Sequence, residues 1–535
     1  MGNGAIESNP VTNLARVLDG HPDDDVALIS PDLTSPDLTS PDRIGTDRTT
    51  TYGELREQVG RLRGGLVGLG IGEGDRVAIV CTNDRPFVVV YLATVGLGAV
   101  AVPLNPGSPA PELQRELVAV DPVAIVVEPH VVDTWARVDR SALTSMRHVI
   151  VTEAVTERAP AAADDRRALD DLLADDPVEV RDLPADTSAV MMFTSGTAGA
   201  PLPAMLSHRN LLANIAQSRS TPVHIDAGDV VYGVLPLFHI FGLNVVLGMS
   251  LSAGATVALV QRFDPATAAD QIRSLGVTVL PGAPPLWVSF ADADHLPADT
   301  FERVRIALSG ASRLPVAIAR RIEERFGLQI AEGYGLTEAA PVVTSSSGLT
   351  GGPRYGSVGR ALEGVDVRLA GDGGDVLVGD VGEILVRGAN VFQGYYDDPS
   401  TTARVLDADG WLHTGDMAVA DDDGWLYLVD RAKDLIIVSG FNVYPAEVEE
   451  ILSSHPAVAE AGVVGVPDPN TGETVTAFVA LEPGADLDEG ALIDFACDHL
   501  ARYKCPSTVS FVRELPRNVS GKLVRRHLAD TVLDV

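Results

Sequence analysis

Residues 190–210 read VMMFTSGTAGAPLPAMLSHRN. The apolar run Val190 to Phe193 predicts a buried strand. It runs into Thr194, Ser195, Gly196, Thr197, Ala198 and Gly199, all small or hydroxylated. Residues this small let backbone N–H groups close on an anion, and the hydroxyls add donors. Ser207 is placed to cap a helix opening at His208 and Arg209. Strand, small-residue loop and helix N-terminus together predict a phosphate cradle. It is not a Walker A loop, because the pattern of Gly, four residues, Gly, Lys and a hydroxyl residue is absent.

A chain of 535 residues needs at least two domains, and 46% hydrophobic residues suffice for their cores. The net charge of −34 argues against nucleic acid or an anionic membrane as partner, since like charges repel. An anionic nucleotide must then be held by local donors against an adverse overall field. Lysine is rare, confined to Lys433, Lys504 and Lys522, so each position draws notice. Cys81, Cys497 and Cys505 show no metal spacing. So few cysteines predict a reducing, cytoplasmic compartment and argue against a disulfide framework. The opening MGNGAIESNP has neither the basic nor the apolar region of a signal peptide. Two long uncharged runs, 87–104 and 230–261, are broken by Gly and Pro. They read as buried α/β elements, and no stable membrane span is expected.

Taken in order, residues 28–50 hold the repeat PDLTS-PDLTS-PD and read as a surface loop. Thr51 to Leu69 predicts a helix and Arg76 to Val80 a buried strand. Strands are expected over 229–235, 255–260, 277–281, 304–309 and 328–331, with helices such as 265–275 between them. That alternation predicts doubly wound parallel sheets. Between 356 and 428, Gly and Asp recur around short alternating runs, the texture of an antiparallel β-rich section. Asp430 to Asp434 is a charged hinge candidate, and Pro445 opens a helix beyond it. The expected fold class is therefore α/β. A large domain, residues 1–429, joins doubly wound subdomains to a β-rich section; a hinge, 430–434, leads to a small mobile α+β domain, 435–535.

The loop at 194–203 resembles the phosphate loop of the adenylate-forming superfamily, which includes acyl-CoA synthetases, luciferases and peptide-synthetase adenylation domains. It departs from the usual pattern at Ala198, Leu202 and Pro203, which replace a Thr, a Lys and a Gly. Three further motifs occur in the family's order: Gly333-Tyr334-Gly335-Leu336-Thr337-Glu338, His413-Thr414-Gly415-Asp416, and Leu515-Pro516 through Gly521-Lys522. The resemblance implies that Thr194, Ser195, Gly196, Thr197, Gly199, Gly310, Ala311, Gly333 and Gly335 surround ATP or AMP. Tyr334 would pack on adenine, Thr337 bond the α-phosphate, and Glu338 supply a carboxylate to Mg²⁺. Asp416 and Arg431 would hold the ribose. Lys522 would bridge the substrate carboxylate and the α-phosphate.

By the same resemblance Lys433 marks the hinge, and Ser439, Gly440 and Phe441 face CoA. Phe238, His239, Gly242 and Gly282 would line the acyl pocket. Residues 236–242 contain none of the carboxylates by which amino-acid-activating relatives hold a substrate amine. The reading is an ATP-dependent acid–CoA ligase, with a fatty acid as the expected substrate. The alternatives are an acyl-AMP ligase that loads a separate acyl carrier protein, and a non-catalytic nucleotide- or acyl-binding relative.

Overall fold

The structure, a computed structural model, describes residues 13–30, 49–152, 166–195, 201–371, 374–431, 436–438, 441–443, 445–468, 472–500, 502–517, 523–525 and 528. The repeat at 31–42 lies outside them. Among the described residues the chain forms four sheets.

The nine-stranded sheet has a parallel centre built from Val26–Ile29, Thr256–Leu259, Val230–Gly233, Val279–Gly282, Ile306–Ser309 and Ile330–Gly335. The eight-stranded sheet places Arg76–Val80 between Val100–Pro103 and Ala124–Val127, all parallel. Strands such as Val77 to Val80 are buried on both faces, which is why they read as unbroken apolar runs rather than alternating ones. The long uncharged runs become buried elements. Residues 87–104 supply most of the helix Arg85–Gly96 and the strand Val100–Pro103. No helix among the described residues is long and apolar enough to cross a membrane.

Helix starts obey local chemistry. Thr51 and Glu54 form a reciprocal cap on Tyr52–Gly68, and Asp84 caps Arg85–Gly96 with Pro86 in its first turn. The β-rich section is a five-stranded antiparallel sheet that includes Val365–Gly371, Val381–Gly388, Leu412–Ala420 and Leu426–Arg431. Its main core residues merge with those of the two larger sheets.

The small domain wraps the sheet of Val458–Asp468 and Gly472–Leu481 with the helices Pro445–Ser453 and Glu489–His499. Its helix Pro445–Ser453 reaches the large domain, where Arg313 pairs with Glu450 at 3.3 Å. One expectation is corrected here. Cys497 and Cys505 are joined by a disulfide, because the chain leaves the helix Glu489–His499 and returns through the turn Arg502–Lys504, bringing the two Cα atoms to 5.3 Å.

Candidate active site

The predicted phosphate loop is the tip of a hairpin. Ser188–Ser195 pairs antiparallel with Pro201–Ser207, setting Phe193 opposite Pro203 and Thr194 opposite Leu202. Gly196, Thr197 and Gly199 lie outside the described residues, as does the Ser195 side chain. The expected run of strand, loop and helix is corrected: a seven-residue strand intervenes. It forms because its apolar residues alternate between two cores. Leu202, Ala204 and Leu206 pack on one, and Met205 on the other.

The helix His208–Arg219 therefore starts roughly 23 Å of extended chain from the loop, at about 3.3 Å per residue. Its first N–H groups are already engaged. Asn210 N donates to Ser207 Oγ at 3.1 Å, and Asn210 Oδ1 accepts from Ser207 N at 2.8 Å. The helix N-terminus is therefore not part of the loop.

The second motif, expected to follow a strand ending at 331, instead lies partly within one. The strand continues as Ile330–Gly335 and pairs with Val342–Ser345. Two glycines permit this. A Cβ on Gly333 would lie 2.8 Å from the Thr344 carbonyl oxygen, and one on Gly335 would run into that of Pro341. Tyr334 is buried between them, its N–H 3.2 Å from Thr344 Oγ1 and its hydroxyl donating to Asp416 Oδ2 at 2.7 Å.

Asp416 stands opposite Arg431 in the β-rich sheet, so the structure brings Tyr334, Asp416 and the Arg431 backbone together. The bulge before Asp416 is held by side chains. Gly415, at φ +71°, donates its N–H to Glu383 Oε1 at 2.9 Å, while Thr414 Oγ1 accepts from Asp416 N at 3.1 Å.

Thr337 and Glu338 open the short turn after this strand. Glu338 Oε1 accepts from the Tyr395 hydroxyl at 2.7 Å. Burial first, then the Glu338 charge, push the Tyr395 phenol up, so it remains a donor. Tyr395 in turn pairs with Ala204 on the hairpin strand, which ties the second motif to the first.

The expected acyl wall runs into a π-wound helix, Phe241–Gly248. A Cβ on Gly242 would meet the Pro236 carbonyl, so only glycine lets the helix start there. His239 Nδ1 accepts from Phe241 N at 3.3 Å, and burial pushes the imidazole pKa down, which favours the neutral ring. Phe241 lies against Gly310: a Cβ there would be 2.7 Å from the ring. Gly310 N donates to the Gly282 carbonyl at 3.2 Å, and Ala311 comes next at φ +70°. Phe238 precedes His239 on the same partly buried segment.

Lys433, Ser439, Gly440 and Lys522, with the side chains of Arg431 and Phe441, lie outside what the structure describes. The sequence reading missed Tyr395 and Glu383. Phe241 belongs to the 237–242 segment that resembles the family's acid-pocket lining. Tyr395 and Glu383 carry no local signal, since their partners are 57 and 32 residues away.

A family model described as AMP-binding enzyme matches residues 14–396, and one described as AMP-binding enzyme C-terminal domain matches 447–522. The chain belongs to the AMP-binding enzymes. Over 484 residues it is 34% identical to a long-chain-fatty-acid–CoA ligase of Bacillus subtilis (strain 168), covering 86% of each chain. It is 34% identical over 498 residues to a 4-coumarate–CoA ligase 2 of Oryza sativa subsp. japonica, covering 90% of this chain and 87% of that one. Its fold superposes on ATP-bound MatB from Rhodopseudomonas palustris with a TM-score of 0.86 and 32% identity, over 98% of this chain and 99% of that one. This AMP-binding enzyme is an acid–thiol ligase of the CoA ligase type, with ATP and CoA as its co-substrates.

Proposed function

We propose that this ligase activates a neutral, apolar monocarboxylic acid, a fatty acid, and transfers it to CoA through an acyl-AMP. The observation that carries the reading is the acyl wall. Residues 236–242, 281–287 and 309–312 contain no carboxylate, Lys or Arg, and their histidine is held toward its neutral form by burial. A second substrate charge would find no partner there, and burying it unpaired is costly.

The acid's carboxylate attacks the α-phosphorus of ATP and pyrophosphate leaves; the CoA thiol then attacks the acyl carbonyl and AMP leaves. No protein nucleophile is required, so catalysis is positioning and charge stabilisation. Tyr334 carries the adenine. Asp416, oriented by the Tyr334 hydroxyl and backed by Arg431, accepts from the ribose. Backbone donors from Ser195 to Gly199 and the Thr337 hydroxyl meet the phosphates. Lys522 stabilises charge on the α-phosphate, and rotation about 430–434, at Lys433, re-presents the small domain, with Ser439, Gly440 and Phe441, to CoA.

The donor set suits magnesium. Glu338 Oε1 accepts from the Tyr395 hydroxyl at 2.7 Å, which orients a carboxylate, the hard oxygen ligand that magnesium takes. Magnesium takes one or two carboxylates plus phosphate oxygens; Glu338 would supply one carboxylate, and the ion would neutralise phosphate charge.

The test is pyrophosphate release and product mass spectrometry with ATP, CoA and a panel of alkyl, aryl and dicarboxylic acids. The expected result is acyl-CoA from alkyl acids. Turnover confined to aryl or dicarboxylic acids would overturn the substrate assignment. Acyl-AMP without acyl-CoA would point to a carrier protein as acceptor.

A further inference from the structure

The disulfide in the small domain has no part in the ligase reading, and its setting gives it one of its own. Upstream, the helix Glu489–His499 is anchored by buried Leu492 and Ala496. Downstream, Ser507 N donates to the Val475 carbonyl at 2.8 Å and Thr508–Phe511 joins the sheet beside Gly472–Leu481. Between these anchors lies the turn Arg502–Lys504, with Arg502 and Tyr503 exposed.

Two side-chain ties join that turn to the domain's helices. Lys504 Nζ reaches both carboxylate oxygens of Glu447, at 2.6 and 2.7 Å, on the first turn of Pro445–Ser453. Cys505 is bonded to Cys497 across eight residues of sequence. The Cys497 side of the bridge is exposed and the Cys505 side half-buried, so a small thiol can reach the Cys497 sulfur. The helix to which the turn is tied is also the one whose Glu450 meets Arg313 of the large domain.

We propose that Cys497 and Cys505 are a reversible redox site at which small-molecule thiols and their disulfides set whether the Arg502–Lys504 turn is pinned to the small domain. Reduction proceeds by exchange. A dithiol's thiolate attacks Cys497 Sγ, the Cys497–Cys505 bond breaks, and Cys505 leaves as a thiolate that takes a proton from water. The reagent's second thiol then displaces Cys497, which is also protonated, and the reagent departs as its own disulfide. Two electrons and two protons pass to the protein. Oxidation by a small-molecule disulfide is the reverse.

The experiment uses the whole enzyme, before and after dithiothreitol, and again after re-oxidation with a small-molecule disulfide. Alkylation in denaturant, read by intact mass, should label one cysteine in the oxidised protein, the buried Cys81, and all three after reduction. Amide hydrogen exchange in peptides spanning Arg502–Lys504 should rise by about 30–100-fold on reduction, the effect of opening a short cross-linked loop. Exchange in the nine-stranded sheet should not change. Cys497→Ser and Cys505→Ser should each match the reduced protein and ignore dithiothreitol; if either fails to fold, the reduced and re-oxidised parent supplies the same comparison. Three alkylatable cysteines after exposure to the disulfide reagent would overturn the proposal, and so would a bridge whose reduction leaves exchange at the turn unchanged.

Discussion

Two hairpins face the nucleotide in this reading, and they are built by opposite means. The one carrying Gly333 to Glu338 is fixed by contact: glycines pressed against the partner strand's carbonyls, a phenol bonded to Asp416, and a carboxylate bonded to Tyr395. In the one carrying Thr194 to Leu202, the described residues are held by strand pairing, Thr194 opposite Leu202. Its strands pair in register, and Leu202, where related loops carry a lysine, packs against the core. In the proposed site the nucleoside end would thus be specified by packing, while the phosphate loop carries Leu202 where the superfamily pattern has a lysine. The missing charge has to come from elsewhere, and Lys522 is the residue proposed for it.

The largest effect should come from removing that compensating charge. Lys522→Ala is expected to lower acyl-AMP formation by about 10²–10³-fold, the scale of deleting one donor to a developing charge. Thioester formation from supplied acyl-AMP should be largely spared. Equal loss in both half-reactions would mean that the phosphate end does not depend on this lysine.

On the nucleoside side, Asp416→Ala should lower kcat/KM for ATP by about 10–100-fold, as expected for losing a hydrogen bond to a charged group. Tyr334→Phe keeps the ring and removes only the 2.7 Å bond to Asp416, so it should cost about 2–10-fold. If the phenylalanine variant loses as much as the alanine variant, that hydroxyl positions the carboxylate rather than merely accompanying it.

The contrast between the hairpins predicts a gain as well. Leu202→Lys with Pro203→Gly should raise kcat/KM for ATP by about 10–100-fold at saturating acid, by returning a charge and an N–H to the loop's base. A parent with no pyrophosphate release from any acid, rescued by this pair, would favour a non-catalytic role for the natural chain.

The last effect is on stability rather than turnover. Burial raises the Glu332 pKa to about 7, on the strand that leads into Tyr334. A carboxyl whose folded pKa lies above its unfolded value stabilises the fold while protonated. That contribution is present below the unfolded value and is lost as pH rises through about 7. Glu332→Gln should therefore stabilise the protein by about 1–3 kcal/mol at pH 8 and by almost nothing at pH 4, measured by denaturant unfolding. A pH-independent change would mean that the side chain acts through packing alone.

These differences track the range over which each interaction is encoded. The buried strands at 76–80 and 306–309, the cap at Thr51, and the glycine and hydroxyl motifs are local patterns, and the chain shows them directly. The α/β class, the β-rich section and the separate small domain were legible for the same reason. Near neighbours in sequence decide whether a segment is a strand, a helix or a turn. The strand Pro201–Ser207 was not legible, because two prolines in seven residues argue against a strand until two cores are present for its alternating face to fill. Tyr395 on Glu338, Glu383 on Gly415, Phe241 on Gly310 and Cys497 on Cys505 likewise exist only once distant segments meet. The sequence determined which residues could handle a nucleotide. The tertiary structure decided which of them are held rigid, because that depends on partners no local pattern can name.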